Sequence, residues 1–409
     1  MNVFKRSPSL YQEGSYIPLS DFIFLSVFSL LMIIHCIENT SVTYLKADWL
    51  KDMYLFRNFL YLVLLAKIAF FIKRDVKEIF FTGIFLLIGF LSFLGSKDFG
   101  LFELFIVICA AKGVAPRALV NIFAVIKSSA LFLTVLLYAI GILPALYYSD
   151  DVFGYFNTYG FCHRNVLGAN VALLCLIWFY RRYGRLKFRD LFLWGFLTVI
   201  TYLMAWSKTS LLITSIIILG FYVFQCLQDK ITAIPSFSML VLLVFAALVV
   251  ASVACTILYE PNASFWRTLD RFFIKRIRFA HFCFDEYGLT PFGYEIPFTS
   301  SMTAQSSNID KLILDNSYAR VLLFYGIIPG TCFLSKYFLS VKHALSDKNF
   351  ALMLALMVFA VYGLSERYML DVYYNFPLLI AGITIIHREH HTYKLFGRFP
   401  IKRIRFIFH

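Results

Sequence analysis

The side chains best suited to chemistry gather in one polar stretch, Tyr259 to Ser317, of a sequence that is otherwise largely apolar. It opens with a run of cations, Arg267, Arg271, Lys275, Arg276 and Arg278, and closes on Asp315-Asn316 where the next apolar segment begins. A guanidinium matches phosphate oxygens two at a time and stays charged at any working pH. A carboxylate near it can take the proton of an attacking hydroxyl. Drawn as one helix at about 100° per residue, Arg267, Arg271, Lys275 and Arg278 share a sector of roughly 80°. Leu269, Phe272, Ala280 and Cys283 lie opposite, although Phe282 and Ile274 interrupt the basic side. Arg276 falls among the apolar residues, where a charge needs an anionic or carbonyl partner. The basic face also reads as an amphipathic helix resting on anionic headgroups. Asp315 or Asn316 also reads as a plain helix N-cap, a role compatible with chemistry.

Further polar groups sit at the ends of apolar segments. Glu366-Arg367 follows Tyr362-Gly363-Leu364-Ser365, and reads either as an interfacial ion pair or as a second site carboxylate. His163-Arg164-Asn165 offers an imidazole beside a guanidinium, suited to acid–base work or phosphate binding; loop polarity explains it as well. Lys208 stands between Ser207 and Thr209, a phosphate contact or a simple helix-end cation. Arg320, one turn after Asn316, is placed to pair with Asp315 or with a phosphate.

These groups need a membrane frame to hold them. Hydrophobic residues make up 60% of the 409-residue chain and charged residues 15%, far from the composition of a soluble domain. The pattern predicts an all-α polytopic membrane protein of about twelve spans. They start near Phe22, Leu55, Ile79, Leu101, Ala118, Val166, Leu191, Leu211, Ser236, Tyr318, Phe350 and Val372, the third and fourth being short. The reading is of one integral domain, with residues 259–317 as an extracytoplasmic loop between spans nine and ten. No cleavable signal peptide is expected, since Pro8, Glu13 and Pro18 precede the first apolar run.

Lys and Arg placement sets the expected orientation. Lys5 and Arg6, Lys73-Arg74-Lys77, Lys112/Arg117, the Arg181 to Arg189 cluster, Lys230, Lys336/Lys342/Lys348 and the tail Arg388 to Arg405 fall on one side. The other side holds far fewer: Lys46, Lys51, Lys97, Arg164, Lys208 and Arg367. Both termini are therefore expected in the cytoplasm. The net charge of +14 follows from that asymmetry and from anionic lipid, not from nucleic acid. The tail from Lys394 to His409 reads as an interfacial anchor. The eight cysteines are scattered singly; Cys162 and Cys283 alone face outward, so a disulfide is possible but not required. His387, His390 and His391 read as surface histidines, and no metal site is expected. No P-loop, GxGxxG or DxD is present, which leaves a nucleotide cofactor or metal-held nucleotide-sugar donor without support.

Taken in order, these segments resemble the bacterial O-antigen ligase and Wzy-type polysaccharide polymerase superfamily, particularly its Gram-positive capsule and exopolysaccharide branch. Cys162-His163-Arg164-Asn165-Val166-Leu167-Gly168 is similar to the family's His-Pro-Asn-x-x-Gly, with Arg164 in place of proline. Ser207-Lys208-Thr209 resembles Ser-Arg-Thr, and Arg276-Ile277 with Pro291-Phe292-Gly293 resembles Gly-Arg-Ile…Phe-Gly, Lys275 standing in the glycine place. Asp315-Asn316-Ser317-Tyr318…Tyr325-Gly326-Ile327-Ile328 resembles the polymerase Asp-Asn-x-Tyr…Gly-x-Ile, and Gly363-Leu364-Ser365-Glu366 with Asn375-Phe376 the final outer loop. The likeness runs from about Gly154 to Pro377. It implies a GT-C-like, metal-independent membrane glycosyltransferase without a cofactor, in a bacterial cytoplasmic membrane, using a polyprenyl-pyrophosphate-linked oligosaccharide as donor. A flippase and a chain-length regulator of the same pathway are implied partners. Site roles follow residue by residue: Arg276 on the pyrophosphate, Asp315 as base and Glu366 in support. His163, Arg164, Asn165, Lys208, Arg271, Arg278, Asn316, Tyr318 and Arg320 would bind substrate. Asp315-Asn316 favours polymerase, because the ligase branch tends to carry His-Asn there. A ligase is the nearest alternative, and a lipid-linked oligosaccharide flippase is the alternative of another class.

Overall fold

The computed structural model describes residues 18–45, 48–72, 74–150, 154–273, 275–299 and 312–387. Lys5, Arg6, Lys46, Lys73, Ile274, His390, His391 and the basic tail lie outside the described residues, as do positions 300–311 of the long loop. The protein is a helical, multi-pass membrane protein. Among the described residues, seven helices are long and apolar enough to cross a bilayer. They are α1 (Leu19–Glu38), α2 (Trp49–Ala66, prolonged by a π-turn, Lys67–Phe71), α3 (Val76–Ser96), α5 (Pro116–Ala139), α7 (Phe188–Ala205), α8 (Lys208–Thr232) and α9 (Phe237–Ile257). The other expected spans correspond to shorter or more polar helices. These are α4 (Gly100–Ala110), α6 (Arg164–Arg182), α13 (Ile327–Ser346), α14 (Phe350–Tyr362) and α15 (Phe376–His387). A short antiparallel hairpin, β1 (Tyr147–Asp150) with β2 (Gly154–Asn157), adds a non-helical piece that apolar patterning did not predict.

Two compact units are built from interleaved stretches of chain. The first takes residues up to 80, then 106–228, then 379 onward; the second takes 81–105 and 229–378. The divisions between the two fall within α3, α4, α8 and α15.

In the first unit α1 packs on α2 and α5, and α5 and α7 pack on α6. Two cations meet the carbonyls that end α4. Lys67 donates to the Ala110 carbonyl, and Arg74 donates to that of Cys109 at 2.7 Å. Cations there complement the negative end of the helix dipole. Lys112 is buried against Glu78, at 2.5 Å. Arg74 and Lys112, two of the cations counted for the expected orientation, therefore also cap and pair within the protein.

In the second unit the described part of the long loop carries helix, and the single helix expected from Arg267 to Cys283 is two. Helix α10 spans Ser264–Phe272 and α11 spans Arg276–Tyr287. Lys275 between them is left-handed, with φ 63°. This break moves Arg267 and Arg271 onto a different helix from Arg276 and Arg278. The tenth span is interrupted as well. Ser317–Ala319 forms one helical turn, Arg320–Phe324 a π-turn (together α12), and Gly326 at φ 103° breaks the path before α13. At Gly326 a Cβ would lie 2.3 Å from the Gly293 nitrogen, and at Gly293 it would lie 2.3 Å from the Phe324 carbonyl. Only glycine fits such backbone-to-backbone packing. The Pro291-Phe292-Gly293 and Tyr325-Gly326 segments are thus docked together, sealed by Ile327 N–H to Thr290 O and Ile328 N–H to Pro291 O at 2.9 and 3.0 Å.

Candidate functional site

The site in the second unit is built on Arg276. It is the first residue of α11, at the helix's positive end, where a cation is unwelcome without counter-charge. Two carboxylates supply it. Arg276 Nη2 lies 2.5 Å from Glu366 Oε1 and 3.7 Å from Asp315 Oδ2. The first is a charge-assisted hydrogen bond; the second is only an electrostatic contact. Burial disfavours the charge on Arg276, but Glu366 and Asp315 outweigh it and hold its pKa above the ordinary value. Its Nε–H is buried and has no hydrogen-bond partner among the described residues.

The two carboxylates differ in access. The Glu366 side chain is 7% exposed and that of Asp315 is 27% exposed. Burial pushes the Glu366 carboxyl up to about 7; Arg276 opposes that shift and Asp315 reinforces it. Glu366 thus titrates near neutrality while pinning the guanidinium, and Asp315 is the carboxylate a hydroxyl can reach. Arg367 is solvent-facing and interacts electrostatically with Asp315 and Asp371.

Local structure explains the placement. Asn316 caps α12, its Oδ1 accepting from the Tyr318 and Ala319 amides at 2.9 and 3.0 Å. The same oxygen accepts from Ser252 Oγ of α9 at 3.0 Å, and Asn316 Nδ2 donates to the Leu364 carbonyl at 3.1 Å. Ser317 Oγ donates to the Glu366 carbonyl at 2.7 Å, and Ser317 N–H to the Gly363 carbonyl at 2.8 Å. Asp315 and Glu366, 51 positions apart in sequence, are thus fixed by one backbone seam. Asn316 holds the seam, and Tyr318, buried with its hydroxyl on the Ala360 carbonyl at 2.7 Å, packs behind it. The polar atoms of both side chains are bonded within the protein.

Arg320 has a different partner from the one expected. Its Nη2 lies 3.7 Å from Asp98 Oδ2, its Nη1 donates to Leu314 O at 3.2 Å, and its guanidinium stacks over Phe298 and Phe324. Asp98, in the turn between α3 and α4, also accepts from the Tyr325 hydroxyl at 2.6 Å. Sequence reasoning missed Asp98. Its only signal was the polar break Lys97-Asp98 between two apolar stretches. Arg271 and Arg278 are exposed and stand apart from the Arg276 cluster.

His163, Arg164, Asn165 and Lys208 belong to the first unit. His163 caps α6, its Nδ1 accepting from the Asn165 amide at 3.1 Å. The turn before it is tied to the end of α1 by Cys162 N–H to Asn39 O, 2.9 Å, and Ser41 N–H to Gly160 O, 2.8 Å. Gly168, the glycine of that motif, lies against the Ser207 segment. A Cβ there would sit 2.5 Å from Ser210 Oγ and 3.3 Å from Ser207 Cβ. The histidine and Ser-Lys-Thr segments, whose Gly168 and Ser207 are 39 positions apart, are therefore neighbours, with Lys208 exposed at the start of α8. A small cleft among α6, α7 and α8 is lined by Gly168 and Val171, by Thr198 and Tyr202, and by Ser210 and Leu211, among others. Cys162 and Cys283 are free thiols.

Fold and site define a helical membrane protein with a buried guanidinium held between two acidic groups of unequal access. Comparison of the chain with family models, with curated proteins and with solved structures returned no match.

Proposed function

We propose that this chain is a metal-independent membrane glycosyltransferase that polymerises polyprenyl-pyrophosphate-linked oligosaccharide repeat units into a surface polysaccharide. The observation that carries the reading is the state of Arg276: buried, clamped by Glu366, and left with an unpaired Nε–H beside the accessible Asp315. A buried guanidinium with donors to spare suits the pyrophosphate of a donor, and stabilises negative charge on the departing group in a partly dry site. Asp315 then takes the proton of the acceptor hydroxyl as it attacks the anomeric carbon. The C–O bond to pyrophosphate breaks as the glycosidic bond forms, and the lipid pyrophosphate leaves with the charge. One base beside one cation suffices, unlike the carboxylate pair of a glycosidase.

The reading places the protein in a bacterial cytoplasmic membrane with about twelve spans, both termini inside and residues 259–317 outside. Purified protein given lipid-linked repeat units tests the function directly. Chain growth is the expected result. Transfer to a different acceptor would make it a ligase, and translocation without transfer a flippase; either overturns the polymerase reading.

A further inference from the structure

One side of α10 is committed to the protein. Trp266 and Leu269 are half-buried and Asp270 is buried. The Trp266 ring meets that of Tyr259 edge-on at 6.1 Å, and Asp270 Oδ1 accepts from the Arg278 amide at 3.0 Å. The outward arc is two-sided. Round the wheel at about 100° per residue come Arg267 and Arg271, then Ser264 and Thr268, then Phe265 and Phe272. Phe265 is 66% exposed and Phe272 is 72% exposed. The arc carries no carboxylate, since Asp270 is turned inward.

The level of this helix is also set. Helix α10 begins seven positions after α9 ends. The Tyr259–Trp266 contact folds it back beside the end of that span. Helix α11 is tied there as well, with His281 Nδ1 2.9 Å from the carbonyl of Thr256 in the last turn of α9. A helix held where a span leaves the bilayer, with open phenylalanines along one stripe and guanidinium groups along another, has the chemistry of an interfacial helix.

We propose that α10 docks on the membrane surface, with Phe265 and Phe272 in the acyl boundary and Arg267 and Arg271 on anionic phospholipid headgroups. Only α10 does this; α11 buries its apolar side in the protein. Because Asp270 bonds the first turn of α11, the lipid contact of α10 fixes where the helix bearing Arg276 begins. The proposal does not depend on the transferase reading.

Hydrogen exchange on the full chain in nanodiscs tests it without any activity. Amides of 264–273 should exchange several-fold more slowly in discs rich in phosphatidylglycerol than in pure phosphatidylcholine. Arg267→Gln with Arg271→Gln should abolish that difference while α11 keeps its own protection. Phe265→Ser with Phe272→Ser should exchange fast in both lipids. Equal exchange of the parent chain in both lipids overturns the proposal, as does a lipid difference that survives in the glutamine variant. Slowing that grows with the number of copies per disc would assign the stripe to a second copy and overturn it too.

Discussion

At the scale of single residues, the contact between Arg276 and Glu366 separates a site from a surface. A lysine at 276 keeps the charge but not the fork, so it cannot hold Glu366 and a phosphate together. Arg276→Lys should lower chain growth by about a hundredfold, as loss of a preorganised donor does elsewhere. Arg278→Gln, on the exposed side of α11, should stay within a few-fold in the same assay; equal losses would assign the effect to diffuse charge. The pH dependence has a defined sign. Glu366 takes up its proton near pH 7, so the anion that pins Arg276 is present above that pH and lost below it. Chain growth should therefore rise through about pH 7, and Glu366→Gln should remove that limb from the profile. Asp315→Asn should make little or no polymer while the protein folds normally, because Asn316 provides the cap. Arg276, Asp315 and Glu366 were legible in the sequence, the first through its place among apolar residues and the others through their span-end positions. The bond joining Arg320 to Asp98 was not. It spans 222 positions, and nothing local distinguishes Asp98 from an ordinary turn aspartate.

At the scale of elements, helix periodicity placed Arg276, Ala280 and Cys283 on a buried side, as found, but it placed the exposed Phe272 with them and did not show the breaks. Lys275 adopts a left-handed conformation that glycine takes freely and lysine takes at a cost of about 1–2 kcal/mol. A sequence without glycine there looks like one continuous helix. The interruption at Tyr325-Gly326 was hidden similarly, because π-turns have no compositional mark. That junction makes a sharp prediction. An alanine at 326 would meet the Gly293 nitrogen and occupy a φ that side chains avoid. Gly326→Ala should cost roughly 3 kcal/mol or more, read as a lowered thermal midpoint in detergent. An unchanged midpoint would mean that the docking of 290–293 against 324–328 is not a structural seam.

At the scale of the whole molecule, apolar patterning made the membrane character plain, and seven spans are evident from length and composition. The rest are short or carry polar residues that serve the interior: Asn170 is buried in α6 and Ser340 in α13. Orientation is open to a direct test at Asn262, exposed in the turn between α9 and α10. Asn262→Cys should react with an impermeant thiol reagent in cells whose cytoplasmic membrane is intact, above the background of the parent chain. Labelling only after lysis would turn the long segment inward and take the proposed outer site with it.

The interleaving of the two units has a consequence for how the chain is made. The first unit needs residues from 379 onward, where a Cβ at Gly382 of α15 would come within 3.0 Å of Ile108 on α4. Those residues follow the 150 positions of 229–378, which belong to the second unit. At the usual pace of synthesis that interval lasts roughly 8–30 s. For that time the part of the first unit already made is without α15. Until then the Ile108 side of α4 lacks its neighbour, and the first unit to begin is completed by a helix made after the second.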